Sequence, residues 1–185
     1  SIPSKESGIP YDKPIQILKN SIVTAVTYKN GAYSRAEVNH YRIGNGKDGK
    51  ISWEYFEGNF TKIPDFTRLK VLKSGKSKEL SLTHIPHRPD HFAIRFKCTL
   101  DLPVSGTYRF YTQSDDGSKI LIDNKVLVDN DGSHSSTSKS NPIELQKGLH
   151  SIEVWYFEDN AGEELEIYIE GPNISKQIIT DEFIQ

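Results

Sequence analysis

The segment Leu165-Glu166-Ile167-Tyr168-Ile169-Glu170 changes character at every residue. Just before it, Ile152, Val154 and Tyr156 share one face while Glu153, Trp155 and Phe157 share the other. A period of two belongs to a strand, whose successive side chains point to opposite faces. No stretch of the chain carries the i, i+3, i+4 spacing of an amphipathic helix. Many short strands punctuated by Gly, Pro, Asn and Asp restrict the chain to a sandwich or a barrel. The fold expected is all-β and antiparallel.

Taken in order, residues 1–14 hold three prolines and one glycine and read as irregular. Ile15-Gln16-Ile17 and Ile22 to Tyr28 read as two short strands. Asn30-Gly31 is a strong hairpin signal, and Ser34 to Tyr41 resumes a strand pattern. Asn45-Gly46-Lys47-Asp48-Gly49 has nothing to bury and is the best place for a domain boundary. Strands then follow at Ile51–Phe56, Phe92–Cys98, Thr107–Thr112, Lys119–Asp123, Val126–Asp129, Ile143–Leu145, Leu149–Phe157 and Leu165–Glu170. Asn124-Lys125 reads as a hairpin turn. Ser74–Lys78 reads as a charged loop and Asp129–Ser140 as a long polar loop. The tail Gln177–Ile184 reads as a last edge strand.

Composition excludes several function classes. The 185 residues suffice for one large β domain or a domain with a fragment, and 35% hydrophobic content supports a packed core. A net charge of −2 leaves no electrostatic footprint for nucleic acid. No apolar run is long enough for a spanning helix, so no membrane insertion is expected. The chain begins at Ser1 rather than Met, which reads as a mature product or a piece of a longer protein. The single cysteine, Cys98, falls on the Phe92/Ile94/Phe96 face and reads as a core thiol rather than a nucleophile.

The candidate site is Ser114-Asp115-Asp116-Gly117-Ser118. Adjacent side chains on a strand diverge, so two carboxylates that converge need unusual backbone between them. Converging carboxylates repel unless a cation lies between them, and hard oxygen ligands suit Ca²⁺. The alternative is an Asp-Gly turn whose carboxylates cap backbone N–H groups. Asp129-Asn130-Asp131-Gly132 has oxygens at alternate positions but lacks the distant Glu of an EF-hand, and reads as a solvated turn. His84, His87 and His91 straddle two prolines and read as surface loop residues. Glu163, Glu164, Glu166 and Asp159 form no evident glycosidase pair; Glu166 keeps a strand face wet. No nucleophile motif, P-loop or dinucleotide fingerprint is present. Trp53, Trp155, Tyr156 and Tyr168 offer rings for a sugar to stack on, and Trp155 is taken as the ligand-contacting one.

Several segments line up with one family: Trp53-Glu54-Tyr55-Phe56-Glu57-Gly58, Phe92 to Phe96, Pro103 to Phe110, Ser114 to Ser118, Ile122 to Asn130 with His134, and Lys147 to Val154 with Tyr156-Phe157-Glu158. From about Gly49 to Pro172 this resembles the PA-fourteen domain, named for the anthrax protective antigen fragment. The resemblance implies an antiparallel β-sandwich that binds carbohydrate and is carried by secreted glycosidases, adhesins or toxins. In the sugar-binding adhesins of that family, two adjacent aspartates joined by a cis peptide hold a Ca²⁺ that ligates sugar hydroxyls. Asp115 and Asp116 match that pair, and Asn160 stands where a further ligand comes from a loop. Residues 1–47 resemble the back part of the small β module that follows bacterial hexosaminidase catalytic domains. The chain is therefore expected to comprise a small β unit, 1–47, packed on a sandwich, 48–185. It reads as a non-catalytic accessory region of a secreted, periplasmic or surface-held bacterial glycoside hydrolase. Its expected partners are a glycan and the parent enzyme's catalytic domain, with Ca²⁺ as cofactor. The alternative is a ligand-free structural spacer.

Overall fold

A computed structural model describes residues 3–4, 8–12, 21–41 and 49–185. The chain divides into two compact units, Ser1–Asn45 and Gly46–Gln185. In the first unit, β1 (Ser21–Ala25) pairs antiparallel with β4 (Glu37–Tyr41), and β2 (Tyr28–Lys29) pairs with β3 (Ala32–Tyr33). The β2–β3 turn is Asn30-Gly31, with φ of 52° and 83°. Those two positive values are what an Asn-Gly hairpin supplies at little cost. The strand expected at Ile15–Ile17 lies outside the described residues.

The second unit carries β5 (Ile51–Glu57), β6 (Lys73–Ser77), β7 (Phe92–Leu102), β8 (Gly106–Asp115), β9 (Ser118–Ile122), β10 (Lys125–Asn130), β11 (Thr137–Leu145), β12 (Gly148–Glu158), β13 (Glu164–Gly171) and β14 (Ile174–Ile178). They form a six-stranded sheet in the order β10-β9-β12-β7-β5-β6 and a four-stranded sheet in the order β11-β8-β13-β14. Every pairing is antiparallel. The unit is an antiparallel β-sandwich, as expected.

Period-two patterning decides what fills it. Tyr55, Phe92, Ile94, Phe96, Ile120, Ile122, Ile152, Val154 and Tyr156 of the large sheet, with Tyr108, Phe110, Leu165, Ile167 and Ile169 of the small one, form one buried cluster. A second, smaller cluster joins Phe56, Phe66, Ala93 and Phe157, with Phe60, Ile63, Leu69 and Trp155 packed against it. Residues 58–72 supply its cover. Phe56 and Phe157 follow buried Tyr55 and Tyr156 directly, so the strands are buried on both faces here.

Three readings of the sequence need correction. Residues 74–77 of the stretch 74–78 are not a loop but lie in edge strand β6, paired with β5. The polar stretch expected to run to Ser140 ends sooner, because Thr137–Leu145 is edge strand β11, paired with β8. Edge strands face solvent and tolerate polar residues, and Pro142 fits such a position. The turn between β9 and β10 is Asp123-Asn124 rather than Asn124-Lys125, with φ of 48° and 62°. The tail adds β14, then an isolated bridge at Thr180 and a 3₁₀ turn, Asp181–Phe183. Cys98 is partly buried against the core, and burial pushes its thiol up to about 12, so it stays protonated.

Candidate functional site

The chain crosses between the two sheets three times at one end of the sandwich. β8 of the small sheet passes into β9 of the large sheet through Asp115-Asp116-Gly117. β10 passes into β11 through residues 131–136, and β12 into β13 through residues 159–163. Pairing of Ser114 with Thr137 and of Asp115 with Glu164 brings the three crossings together.

The Asp115–Asp116 peptide is cis. Both carboxylates are fixed by backbone donors of the other two crossings. The His134 N–H donates to Asp116 Oδ1 at 2.7 Å, and the Asp159 and Asn160 N–H groups donate to Asp116 Oδ2 at 2.8 and 3.4 Å. Asp115 Oδ2 accepts from the Ser136 N–H at 3.1 Å. Asp116 is buried and Asp115 partly exposed. A carboxylate oxygen has more than one lone pair, so one N–H bond leaves it able to ligate a cation. Gly117 is the residue this turn requires, since a Cβ there would lie 2.3 Å from Phe157 Cε1 and 2.9 Å from Gly132 N.

Beneath the turn is a buried polar floor. Ser118 Oγ lies 2.7 Å from both Thr112 Oγ1 and Ser114 Oγ, and Asn130 Nδ2 donates to Ser114 Oγ at 3.1 Å and to the Thr137 carbonyl at 3.0 Å. Glu158, the last residue of β12, is fully buried. Tyr156 donates to Glu158 Oε2 at 2.6 Å. Burial pushes the Glu158 carboxyl up; the Tyr156 hydrogen bond opposes this, while Asp116, Asp115 and Glu163 add to it, leaving it at about 7. Oxygens of Asp115, Asp116 and Glu158 lie within 4.8 Å of one another, the one such acidic or histidine group among the described residues.

The other expected residues fall less neatly. Asn160 is exposed in the third crossing, its N–H against Asp116 and its Nδ2 donating to Asp159 Oδ1 at 2.9 Å. Trp155 is not brought to the aspartates. Its indole stands on the opposite face of β12 from Tyr156, edge-on to Phe66 with centroids 5.7 Å apart. There it lines a cavity of about 340 Å³ with Ile63, Phe66, Arg95 and Lys119. Arg95 is paired to Glu54 at 2.6 Å, and Lys119 to Asp129 and Asp131 at 3.1 and 3.0 Å. The calcium-loop-like stretch thus spends its carboxylates on Lys119. His91 and His87 are separate, His87 stacking on Phe92 and His91 Nδ1 lying 3.6 Å from Asp159 Oδ1.

Sequence reasoning missed Glu158. It shares the parity of Ile152, Val154 and Tyr156, and a carboxylate that continues the inward face of a strand is the signal that would have found it.

The sandwich belongs to a known family: the PA14 domain matches residues 23–182, and the chain is a member of it. The match begins inside the segment read above as a separate hexosaminidase-type module. A curated relative, anti-sigma-I factor RsgI3 of Acetivibrio thermocellus, is 29% identical over 91 residues, 49% of this chain and only 14% of the relative's length. Among solved structures, a PA14 sugar-binding domain from an RTX adhesin superposes with a TM-score of 0.63 at 15% identity, covering 73% of this chain and 97% of the other. The epithelial adhesin 9 A domain of Candida glabrata, in complex with Galβ1-3GlcNAc, gives 0.56 at 9% identity, covering 77% and 91%. At these identities the structural likeness shows the fold alone. No helix among the described residues is long and apolar enough to cross a membrane.

Proposed function

We propose that the chain is a non-catalytic carbohydrate-binding module in which Asp115 and Asp116, with Asn160 as a further ligand, hold a Ca²⁺ ion. The observation that carries this is the convergence of the paired carboxylates, with buried Glu158, to within 4.8 Å where three crossings meet. The donor set fits a hard divalent cation, since its oxygens are carboxylate oxygens with the Asn160 amide oxygen beside them, and close carboxylates need a counter-charge. A bound Ca²⁺ would supply open coordination positions for the vicinal hydroxyls of a sugar. The chain's own part is positional. The N–H groups of His134, Ser136 and Asp159 orient the two aspartates, and residues 131–136 and 159–163 flank them to select the sugar.

The module would be carried by a larger bacterial protein, secreted or held at the cell surface, with a hexosaminidase-like glycoside hydrolase as host and its catalytic domain as partner. The adhesin structures named above, one in complex with a disaccharide, support the choice of ligand class. A second reading has an observation of its own. Asp116 already accepts three backbone N–H bonds, so the turn also serves as a bolt between crossings, as a ligand-free spacer would use it. A glycan array probed with the chain, in Ca²⁺ and again in chelator, separates the two. The module reading expects a defined set of glycans retained only with Ca²⁺. Retention of none leaves the spacer.

A further inference from the structure

Glu158 is 0% exposed, and its Oε1 has no hydrogen-bond partner although Oε2 accepts from Tyr156. A buried polar atom in that condition is costly and calls for a partner. Nothing else among the described residues supplies one. What the carboxylate does have is proximity, to within 4.8 Å, to oxygens of Asp115 and Asp116. Ca²⁺ sits about 2.3–2.6 Å from each oxygen ligand, so two oxygens sharing an ion are at most about 5 Å apart. The three oxygens meet that limit together. Two of the three residues are buried, so the group is closed on the protein side and opens past Asp115.

We propose that Glu158 is a third carboxylate ligand of the ion, bound from the interior of the sandwich through Oε1. This rests on reading Asp115 and Asp116 as a Ca²⁺ site. Glu158 and the two aspartates then hold the ion from three carboxylates on two crossings, β8–β9 and β12–β13. The ion also removes the one unsatisfied atom of the Glu158 side chain. Tyr156 is the positioning residue, because its hydroxyl occupies Oε2 and leaves Oε1 for the metal. A buried water satisfying Oε1 is the competing occupant.

The test is isothermal titration of Ca²⁺ into the chelator-stripped chain of residues 1–185, alongside Asp115→Asn and Glu158→Gln. The expected result is one Ca²⁺ bound by the unaltered chain, with Kd raised tenfold or more in each variant and far-ultraviolet circular dichroism unchanged. A Glu158→Gln chain that binds Ca²⁺ within twofold of the unaltered one overturns the proposal but leaves the aspartate site standing. An unaltered chain that binds no Ca²⁺ overturns both. Should Glu158→Gln fail to fold, a ¹³C-glutamate-labelled unaltered chain decides the matter. The Glu158 Cδ resonance moves on Ca²⁺ addition if it ligates, and stays in place if a water is the only occupant.

Discussion

Tyr156 stands two residues before Glu158 on the same face of β12 and holds Glu158 Oε2 at 2.6 Å through its hydroxyl. The same hydroxyl lies 2.5 Å from the carbonyl oxygen of Asp115. A phenol has one hydrogen, and the carbonyl has none to return. The Tyr156 hydroxyl therefore shares its one hydrogen between two acceptors, the Asp115 carbonyl and Glu158 Oε2. The floor of the site is thus joined to the double-aspartate turn through one side chain.

Tyr156→Phe therefore removes the hydroxyl from the buried Glu158 Oε2 and the partly buried Asp115 carbonyl, at a cost of about 1–3 kcal/mol. Tyr108 is the control, since its hydroxyl serves one acceptor, the Val104 carbonyl at 2.8 Å. Thermal unfolding of the Ca²⁺-free chain should show a larger fall in Tm for Tyr156→Phe than for Tyr108→Phe. Equal falls would remove the three-way contact from the account.

Gly117→Ala should destabilise the chain although its backbone φ is ordinary. The added Cβ meets the Phe157 ring at 2.3 Å and the Gly132 backbone at 2.9 Å. Overpacking of this kind costs about 1–3 kcal/mol. A double variant, Gly117→Ala with Phe157→Leu, relieves the ring contact only. Urea unfolding should place it above the sum of the two single changes, because contacting residues are not additive.

The sandwich was legible because parity survives in single strands. Ile152, Val154 and Tyr156 could be assigned to one face with no knowledge of what they meet. The Asp-Asp-Gly turn was legible because two adjacent carboxylates are chemically costly wherever they fall. Trp155 was harder to place. Its parity puts it on the outer face, but that face is covered by residues 58–72, irregular chain whose path no local pattern encodes. Edge strand β6 and the first residues of edge strand β11, 137–140, were read as loop because each strand has a partner on one side only and these residues are polar. Whether a polar run is loop or edge depends on a neighbour distant in sequence.

Away from the site, His150 and Asp123 give a pH dependence. His150 Nδ1 lies 2.7 Å from Asp123 Oδ2 and Nε2 lies 2.9 Å from the Gln146 carbonyl, so only the imidazolium satisfies both acceptors. The Asp123 hydrogen bond raises the His150 pKa above 6.5 against the effect of burial. Burial pushes Asp123 up, but His150 and Ser151 outweigh it and the net shift is downward from 3.8. For His150 the stabilisation is complete below 6.5 and is lost as pH rises through the raised value. For Asp123 it is present above 3.8 and is lost as pH falls through the lowered value. The pair therefore contributes most between these limits. Asp123 is 51% exposed, so the contribution is below about 1 kcal/mol. The Tm difference between the unaltered chain and His150→Ala should be largest near pH 5–6 and shrink above pH 7. A difference independent of pH would mean the pair acts through packing alone.

Calcium should raise the melting temperature, and the two aspartates should respond differently to amidation. An ion that binds only the folded chain stabilises it by about 2.7 kcal/mol at a hundredfold excess over Kd. That corresponds to a rise of roughly 5–11 °C at about 2–4 °C per kcal/mol for a domain of this size. Chelator should reverse the rise. Asp116→Asn turns one acceptor oxygen into an amide donor facing backbone N–H groups, from His134 or from Asp159 and Asn160. It should therefore cost the Ca²⁺-free chain about 1–3 kcal/mol as well as removing the Ca²⁺ response. Asp115→Asn is the cleaner change. Among the described residues only its Oδ2 is engaged, by the Ser136 N–H at 3.1 Å, and an amide oxygen can keep that bond. Its Ca²⁺-free melting temperature should match that of the unaltered chain while its Ca²⁺-induced rise disappears. If Asp115→Asn keeps the full rise, the ion that stabilises this protein is bound elsewhere, and the paired aspartates serve the turn alone.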